Sequence, residues 1–410
     1  MRRRADSHPK RDSHNQVRAV LGLWLLLTLL PAWGCGAKKV EQNPPRRLSG
    51  ADLPVPVQGT PRMRVLLAED FSSLEVGGAL SGQRVRLRFL GGHIELMPLE
   101  PAGPAVQGSG FRLEPARFQH LVWQERAYRG VFEVFINPLG QPVLVNEVGI
   151  EDYLRGVVPN ELGPSRERLE AVKAQAVAAR TFAITNRGRF NHLGFDLYAD
   201  SRSQAYSGIS GEEALATQAV LETAGRIAVF QDRPILAMYS STCGGVTANY
   251  QSIFLASPLQ YLQGGVRCRD RSSPYHEWEE TVDLADRSAS LERYAPGIGK
   301  VRRVIPGAKD STGRLVELTL EGEEGSATLR GINLRLALGL RSNWILDLRP
   351  RGQGDKALSG LTVRGKGWGH GVGLCQYGAV EMAASGSSFR EILTHYYPGT
   401  QVIDFYSQPR

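Results

Sequence analysis

Between residues 63 and 149, short apolar runs alternate with polar positions and end at glycine turns. This two-residue period predicts β-strands that bury one face. The clearest examples are residues 65–67, 85–90, 131–135 and 143–145. No group of reactive side chains accompanies them, so the pattern predicts a β-rich N-terminal module over residues 61–149 without visible chemistry.

After residue 150 the pattern changes to a helical period. One buried stripe is predicted from the spacing of Leu169, Val172, Ala176, Ala179 and Ala183. Arg180 on the same helix is expected to pair with a buried carboxylate. A second helix is predicted at residues 212–223, and a hairpin is predicted from residues 227–230 and 235–239. Together these elements indicate a mixed core over residues 150–275.

The remaining segments complete the predicted architecture. Residues 276–360 return to short strand-like runs and are expected to form a β-rich insertion. Residues 361–410 contain a glycine-rich motif and a final helix at residues 388–396. We therefore expect an α+β fold, in which β-rich modules surround a helix-containing core that the C-terminal segment completes.

The first 35 residues have the pattern of an export signal. A basic stretch that ends at Arg18 precedes an apolar run, residues 19–30. This run is shorter than a typical transmembrane helix. Residues 32–35 look like a degenerate lipobox, which would make Cys35 a lipidated N-terminus. Ordinary cleavage nearby and a single uncleaved anchor are the alternatives. All three place the folded part outside the cytoplasm, in the cell envelope, behind a flexible tether at residues 36–60.

Composition and charge narrow the functional classes. The chain has 410 residues, of which 42% are apolar and 22% charged, an ordinary globular composition with room for two or three modules. Residues 1–34 contain six basic and two acidic side chains, so their removal would reduce the formal net charge from +8 to +4. That excess suits an anionic wall or membrane surface. Without a basic stripe and interleaved aromatic residues, nucleic-acid binding is not expected.

Four cysteines in a chain of this length do not make a disulfide-dense scaffold. Cys243 and Cys268 lie in loop-like sequence and are candidates for a disulfide. Cys375 lies in an apolar, glycine-rich run and is expected to be a buried free thiol.

Glu161 is the candidate general acid. It lies in residues 156–162 (GVVPNEL), a predicted turn with apolar neighbours, ahead of a helix with many small residues, 171–181 (AVKAQAVAART). An apolar, partly dry setting raises the pKa of a carboxyl group, as acid catalysis near neutral pH requires. Glu151, further upstream, is interpreted as a solvated helix cap.

A second stretch, residues 365–379 (GKGWGHGVGLCQYGA), has glycine at every second position from Gly365 to Gly373. In an extended segment this leaves one face as bare backbone, against which a sugar ring could lie, with Trp368 as a stacking surface. Close packing between domains explains such glycines equally well. The spacing does not fit a phosphate-binding loop.

Six blocks in order resemble the stage II sporulation protein D / LytB amidase-enhancer family. They are residues 145–161, 173–181, 203–208, 239–247, 365–379 and 395–400. The resemblance covers roughly residues 63–405. It implies a peptidoglycan lytic transglycosylase that cleaves MurNAc–GlcNAc bonds and forms 1,6-anhydroMurNAc, with Glu161 at the position of the catalytic glutamate. It also implies a preference for glycan strands without stem peptides and coupling to a cell-wall amidase.

The presence of one candidate acid, Glu161, agrees with the chemistry of a lytic transglycosylase. Ordinary glycosidases need two carboxylates, whereas a lytic transglycosylase uses the C6 hydroxyl of its substrate as the nucleophile. One glutamate can then act first as acid and afterwards as base. The rival function is a non-catalytic peptidoglycan-binding protein that activates an amidase. A serine hydrolase is disfavoured, because the chain has no Gly-x-Ser-x-Gly elbow.

Other residues of these blocks are expected to contact substrate. They are Gln204, Tyr206, Ser240, Ser241, Gly369, His370, Gly371, Gln376 and Tyr377. His370 stands between two glycines, where it could bind a sugar hydroxyl or orient Glu161. A histidine that is satisfied within the core explains it nearly as well.

Some sporulation members of the family bind zinc through a histidine and two cysteines after the long helix. This chain keeps His192, but Tyr198 and Gln204 stand at the two cysteine positions. Without those thiolates a tetrahedral site is not expected. The sequence therefore predicts neither a metal nor a cofactor.

Overall fold

The structure is a computed structural model that describes residues 59–79, 83–100, 102–162, 168–352 and 357–406. The predicted signal peptide, the lipidation candidate Cys35 and most of the predicted tether lie outside the described residues. Within the described ranges, no helix is long and apolar enough to cross a membrane.

The alternating pattern of the N-terminal segment forms strands because each strand can bury one face. The strands are β1 (Arg62–Glu69), β2 (Ser73–Ala79), β3 (Gln83–Leu90), β4 (His93–Pro98), β5 (Val106–Gly108), β6 (Gly110–Leu113), β7 (Leu121–Trp123), β8 (Arg126–Tyr128), β9 (Val131–Ile136) and β10 (Pro142–Gly149). In β3, Val85 and Leu87 are buried, whereas Arg86 between them pairs with Glu75 on β2. Strands therefore dominate this part of the chain.

These strands belong to two sheets. One has the order β5–β4–β3–β2–β7–β8. The other has the order β1–β10–β9–β6 and gains β11 (Leu197–Tyr198), which pairs in parallel with β1. Because β11 comes from the central segment, the two segments share a sheet and one continuous hydrophobic core.

The central segment is arranged around one buried helix. Its elements are α1 (Ile150–Leu162), α2 (Leu169–Asn186), α3 (Ala214–Glu222), β12 (Arg226–Phe230), β13 (Arg233–Pro234), β14 (Tyr239–Ser240) and α4 (Tyr250–Phe254). The predicted stripe of α2 faces the N-terminal core, but Ala171, Ala174 and Ala178 pack into a second core. The small side chains allow neighbours to approach α2 from both sides, so the helix has two buried faces where the pattern predicts one.

The predicted hairpin forms only in part. β12 and β13 pair across Gln231 and Asp232, whose φ angles of 50° and 61° suit a tight two-residue turn. The chain leaves this pairing after Ile235, whose N–H donates to the Ala228 carbonyl at 3.1 Å. Tyr239 and Ser240 form β14, which pairs instead with a strand of the C-terminal segment.

The segment that follows has its own hydrophobic core. Its elements are β15 (Glu277–Asp283), α5 (Ser288–Tyr294), β16 (Val301–Pro306), β17 (Glu317–Gly322), β18 (Ser326–Arg330), α6 (Ile332–Leu338), β19 (Trp344–Arg351) and β20 (Gly360–Lys366). They form the sheets β15–β20–β19 and β16–β17–β18 around buried side chains such as Leu318 and Leu334. Since β20 contains Gly365, the glycine motif begins inside this segment's sheet.

The C-terminal segment packs back onto the central core. Its elements are β21 (Leu374–Cys375), α7 (Gln376–Ala384), α8 (Phe389–Tyr396) and β22 (Gln401–Asp404). Ser388 and Glu391 form a reciprocal capping box at the start of α8, which confirms the predicted final helix. β21 pairs with β14, and β22 pairs with β12. Separate sheets combined with these helices confirm the α+β class.

A buried ion pair joins α1 to α2. Arg180 donates from Nε and Nη2 to the two carboxylate oxygens of Glu151 at 3.0 and 2.6 Å. Glu151 Oε1 also accepts the Gly225 N–H at 3.0 Å and the Tyr406 hydroxyl at 2.6 Å. Arg180 thus has the expected buried partner. The interpretation of Glu151 as a solvated cap is wrong, because the residue is only 4% exposed.

We expect Arg180→Met to lower the free energy of unfolding by about 3–5 kcal/mol, because the Glu151 carboxylate stays buried without its partner. Urea unfolding followed by circular dichroism measures the change. Arg86→Met is the matched control; it breaks the exposed pair with Glu75 and should cost less than about 1 kcal/mol. Equal losses in the two variants would contradict a structural role for the buried pair.

Candidate active site

Glu161 lies in the last turn of α1, not in a loop before a helix. Proline usually interrupts a helix, yet Pro159 lies inside α1. The Gly156 carbonyl accepts the Asn160 side-chain amide at 2.6 Å and the Ser207 backbone N–H at 3.3 Å. These contacts hold the turn, and they correct the sequence-based interpretation.

The Glu161 carboxyl group is partly buried and has two hydrogen-bond donors. Oε1 accepts the Ala205 backbone N–H at 2.8 Å, and the Tyr239 side chain is the second partner. Burial raises the pKa of Glu161 to about 7, while the two hydrogen bonds favour the carboxylate and limit the rise. Near neutral pH the group therefore exists in both protonation states, as proton transfer requires.

A chain of buried hydrogen bonds fixes the Tyr239 hydroxyl. Gln204 donates from Nε2 to Tyr239 Oη at 2.8 Å, and its Oε1 accepts the Tyr153 hydroxyl at 3.1 Å. Gln204 Nε2 also donates to the Ala179 carbonyl on α2 at 3.3 Å. Since the Tyr239 oxygen accepts from Gln204, its own proton is available to the neighbouring Glu161 carboxyl group.

Gln204 and Tyr206 are both buried, although Tyr206 reaches the edge of a cavity lined by Trp123, Tyr128 and Arg202. Gln204 is 0% exposed, and Tyr206 is 5% exposed with its hydroxyl donating to Asn146 Oδ1 at 2.8 Å. Gln204 therefore presents no surface to a sugar and Tyr206 presents only a small one, so their burial argues against the expected substrate contact. Gln204 instead holds the Tyr239 hydroxyl beside Glu161.

The glycine motif packs against the segment around β14. The φ angles are 79°, 101°, 73° and 73° at Gly367, Gly369, Gly371 and Gly373, so this stretch is not an extended strand with one bare face. A Cβ atom on Gly369 would lie 2.8 Å from the Ser240 Cβ. On Gly373 it would lie 2.0 Å from the Met238 carbonyl oxygen. Close packing between segments, the alternative explanation, therefore accounts for these glycines.

His370 and Ser240 hold the motif in this position. Ser240 Oγ accepts the Gly371 N–H at 3.2 Å, and His370 Nδ1 accepts the Val372 N–H at 3.0 Å. Burial lowers the pKa of His370 to about 3, with nearby arginine charges contributing. The imidazole is therefore neutral at pH 7. Its hydrogen bond to the Tyr239 backbone places it next to the partner of Glu161. Because the ring is partly exposed, it stays a candidate for sugar contact.

Ser241, Gln376 and Tyr377 meet where α7 begins. The Tyr377 N–H donates to the Ser241 carbonyl at 3.1 Å, and Ser241 Oγ lies 3.3 Å from Thr242 Oγ1. Both Ser241 and Tyr377 are partly exposed, so they stay candidates for sugar contact. Gln376 is only 4% exposed and donates to Gln175 Oε1 at 3.4 Å. Its burial argues against the expected contact between Gln376 and a sugar.

Trp368 belongs to an exposed aromatic pair. It is 38% exposed and lies edge-on to Tyr275, with ring centroids 4.0 Å apart. The Arg341 guanidinium lies 5.2 Å from the Tyr275 centroid and 5.8 Å from the Trp368 centroid. The sequence indicates Trp368 but gives no signal for the other two residues, which come from different segments. Aromatic rings held in this way offer a rigid apolar face to a ligand.

The three described cysteines are free thiols. The predicted Cys243–Cys268 disulfide is therefore not formed, and Cys375 lies beside both residues rather than apart from them. Together with Asp270, these cysteines form the group of described side chains that could hold a metal ion. His192 lies elsewhere, in a short 3₁₀ helix at Asn191–Leu193.

Known proteins match both the central segment and the segment after it. The stage II sporulation protein family matches residues 140–230, and a domain of unknown function (DUF8618) matches residues 259–373. Stage II sporulation protein D of Bacillus subtilis is 31% identical over 302 residues, which cover 68% of this chain and 83% of that protein. The chain belongs to the stage II sporulation protein D family.

Two further relatives extend this result. An uncharacterized protein of Brachyspira hyodysenteriae is 32% identical over 264 residues, 64% of this chain and 69% of that protein. An amidase enhancer of Bacillus subtilis is 28% identical over 303 residues, 62% of this chain and 40% of that protein. The family match at residues 140–230 of this chain includes Glu161, Gln204 and the Glu151–Arg180 ion pair.

We expect Tyr239→Phe to raise the pKa of Glu161 by about one unit, because the carboxylate loses a donor. Carbon-13 NMR of labelled glutamate carboxyl groups measures the titration, and the signal is assigned by its loss in Glu161→Gln. Tyr198→Phe, which removes a partly exposed hydroxyl on β11, is the control and should leave the titration unchanged. An unshifted pKa in Tyr239→Phe would show that the hydroxyl does not act on Glu161.

Proposed function

We propose that this protein is an exported peptidoglycan lytic transglycosylase in which Glu161 serves as both general acid and general base. The observation that carries the proposal is the Glu161 carboxyl group itself. It is partly buried, it accepts the Ala205 N–H and the Tyr239 hydroxyl, and its pKa is raised to about 7. A carboxyl group with that pKa can donate and accept a proton near neutral pH.

The reaction needs only this one carboxyl group. Protonated Glu161 gives its proton to the oxygen of the MurNAc–GlcNAc bond as the bond from that oxygen to C1 of MurNAc breaks. The C6 hydroxyl of the same MurNAc attacks C1 and forms the 1,6-anhydro ring. The Glu161 carboxylate takes the proton of that hydroxyl, so the group ends in its starting state. No water and no second carboxylate take part, unlike in hydrolytic glycosidases.

Two neighbouring donors support both halves of this cycle. The Ala205 N–H and the Tyr239 hydroxyl stabilise the carboxylate that forms when the proton leaves. Gln204 keeps the Tyr239 hydroxyl in place. Partial burial meanwhile favours the protonated form. Burial and the two donors therefore act in opposite directions, so neither the protonated nor the ionised form of Glu161 is too stable to react in the next step.

Substrate contact is assigned to side chains that are exposed near the glycine motif. Trp368 offers a ring for stacking, and Ser241 and Tyr377 offer polar groups. The substrate is the glycan strand of peptidoglycan, in particular strands without stem peptides. The protein acts in the cell envelope, to which residues 1–35 direct it and where lipid on Cys35 or an uncleaved signal holds it.

One observation favours a second candidate function, a non-catalytic peptidoglycan-binding protein that activates a cell-wall amidase. The chain is 28% identical to a protein named amidase enhancer. In this alternative the exposed Trp368 region binds glycan, and Glu161 has no chemical role.

We expect Glu161→Gln to reduce the release of 1,6-anhydro products by about 10²–10⁴-fold, because the variant cannot donate a proton. Mass spectrometry of soluble products from denuded glycan strands measures this release. Asp152→Asn on the same helix is the matched control, since Asp152 is a partly exposed ion-pair residue, and its activity should stay within about threefold. Absence of products from the parent, with parent and Glu161→Gln both sedimenting with glycan, would favour the amidase-activating alternative.

The pH dependence of kcat/KM should report the Glu161 titration. Because the acid must be protonated in the free enzyme, we expect the rate to fall about tenfold per pH unit above a pKa near 7. Initial rates of glycan cleavage between pH 5 and about pH 9 test this. A rate that rises through pH 7 would contradict the role of Glu161 as the acid.

A further inference from the structure

We propose that Cys243, Cys268, Cys375 and Asp270 form a structural zinc site. The four residues come from three separate segments. Cys243 follows β14, Cys268 and Asp270 lie in the loop before β15, and Cys375 is the last residue of β21. Their ligand atoms all lie within 4.8 Å of one another. Thiolate-rich groups of four ligands select zinc among the common divalent metals.

The separations agree with tetrahedral coordination. Asp270 Oδ2 lies 3.4 Å from Cys243 Sγ and 3.6 Å from Cys375 Sγ. With Zn–S bonds of about 2.3 Å and Zn–O bonds of about 2.0 Å, a tetrahedral ion would separate each sulfur and oxygen pair by about 3.5 Å. The described positions therefore need little rearrangement to bind the ion.

Groups around the cluster orient the ligands as outer-shell partners do in metal sites. His276 Nδ1 lies 2.8 Å from Asp270 Oδ1, and the Gly244 N–H donates to Asp270 Oδ2 at 2.6 Å. The Cys243 N–H donates to Cys375 Sγ at 3.3 Å. These contacts hold Asp270 and Cys375 in place while the four ligand atoms stay within 4.8 Å of one another.

Burial and charge also fit a metal. Cys375 and Asp270 are 0% exposed, whereas Cys268 is partly exposed and provides a route of entry. Bound as three thiolates and a carboxylate, the ligands would carry four negative charges, which a divalent cation partly offsets. Arg314, which is 2% exposed, adds positive charge and donates to the Cys243 carbonyl at 2.7 Å.

A disulfide between two of the three thiols is the competing explanation in an exported protein. It would leave the third sulfur unpaired, and the buried Asp270 carboxylate would have no part in it. Convergence of the carboxylate with all three sulfur atoms favours the metal. The inference stands apart from the proposed enzymatic activity. It replaces the expectation that the chain binds no metal, which rested on the positions of His192, Tyr198 and Gln204 and on the absence of a His-Glu-x-x-His motif.

The test uses the full chain, produced with added zinc and purified under reducing conditions. Inductively coupled plasma mass spectrometry should find one zinc ion per chain. Cys375→Ser and Asp270→Asn should each weaken zinc binding by about tenfold or more, measured by competition with a chromogenic chelator. Cys35→Ser, which changes the cysteine outside the cluster, is the matched control and should keep the parent's affinity.

Cobalt substitution gives a measurement that does not depend on the folding of any variant. Co²⁺ in the parent should show thiolate-to-cobalt charge-transfer bands and the intense d–d bands of a tetrahedral ion. A parent without stoichiometric zinc, an octahedral cobalt spectrum, or an intact mass that reveals a disulfide within the cluster would overturn the proposal. Unchanged zinc affinity in Cys375→Ser would do the same.

Discussion

The Arg180 side chain, fully buried on α2, makes contact with several separate parts of the fold. Besides its two bonds to Glu151 on α1, its guanidinium donates to the carbonyl groups of Val220 in α3 and Arg226 in β12, both at 3.2 Å. Tyr406, near the end of the described chain, reaches the same junction through Glu151. A charge in so dry a site is tolerated only when these acceptors surround it. The packing of α1, α3 and the C-terminal segment around α2 therefore depends on this ion pair.

α1 connects that junction to the candidate active site, because Glu151 lies in its first turn and Glu161 in its last. Because the hydrogen-bonded helix is rigid along its axis, fixing Glu151 at one end restricts the position of Glu161 at the other. From the opposite side, α2 supplies the Ala179 carbonyl that holds Gln204, and Gln204 holds the Tyr239 hydroxyl. Proton transfer depends on groups kept within a fraction of an ångström of a productive geometry. The supports of Glu161 are a backbone N–H, the partly buried Tyr239 side chain and the buried Gln204 side chain, which suits that requirement.

β14 is the element where the candidate active site, the glycine motif and the cysteine cluster come together. The Tyr239 side chain contacts Glu161, while the next residue, Ser240, pairs with Cys375 in β21 and accepts a hydrogen bond from Gly371. Zinc at the inferred site would fix the loop that follows β14. Through this short strand, the same ion would restrain the Tyr239 hydroxyl, although it lies outside the chemistry proposed for Glu161.

Local patterns in the sequence determined the α+β class, the small-residue helix α2 and the final helix α8. The choice of Glu161 as the candidate acid depended on the family resemblance of six ordered blocks. Periodicity and helix caps act over a few residues, so they can be read without knowing the fold. Tertiary packing decided that Gln204 and Tyr206 are buried and that Glu151 is the partner of Arg180. It also brought Cys243, Cys268 and Cys375 to Asp270. Contacts between distant segments leave no periodic signal, because their geometry depends on how whole helices and sheets pack rather than on neighbouring residues.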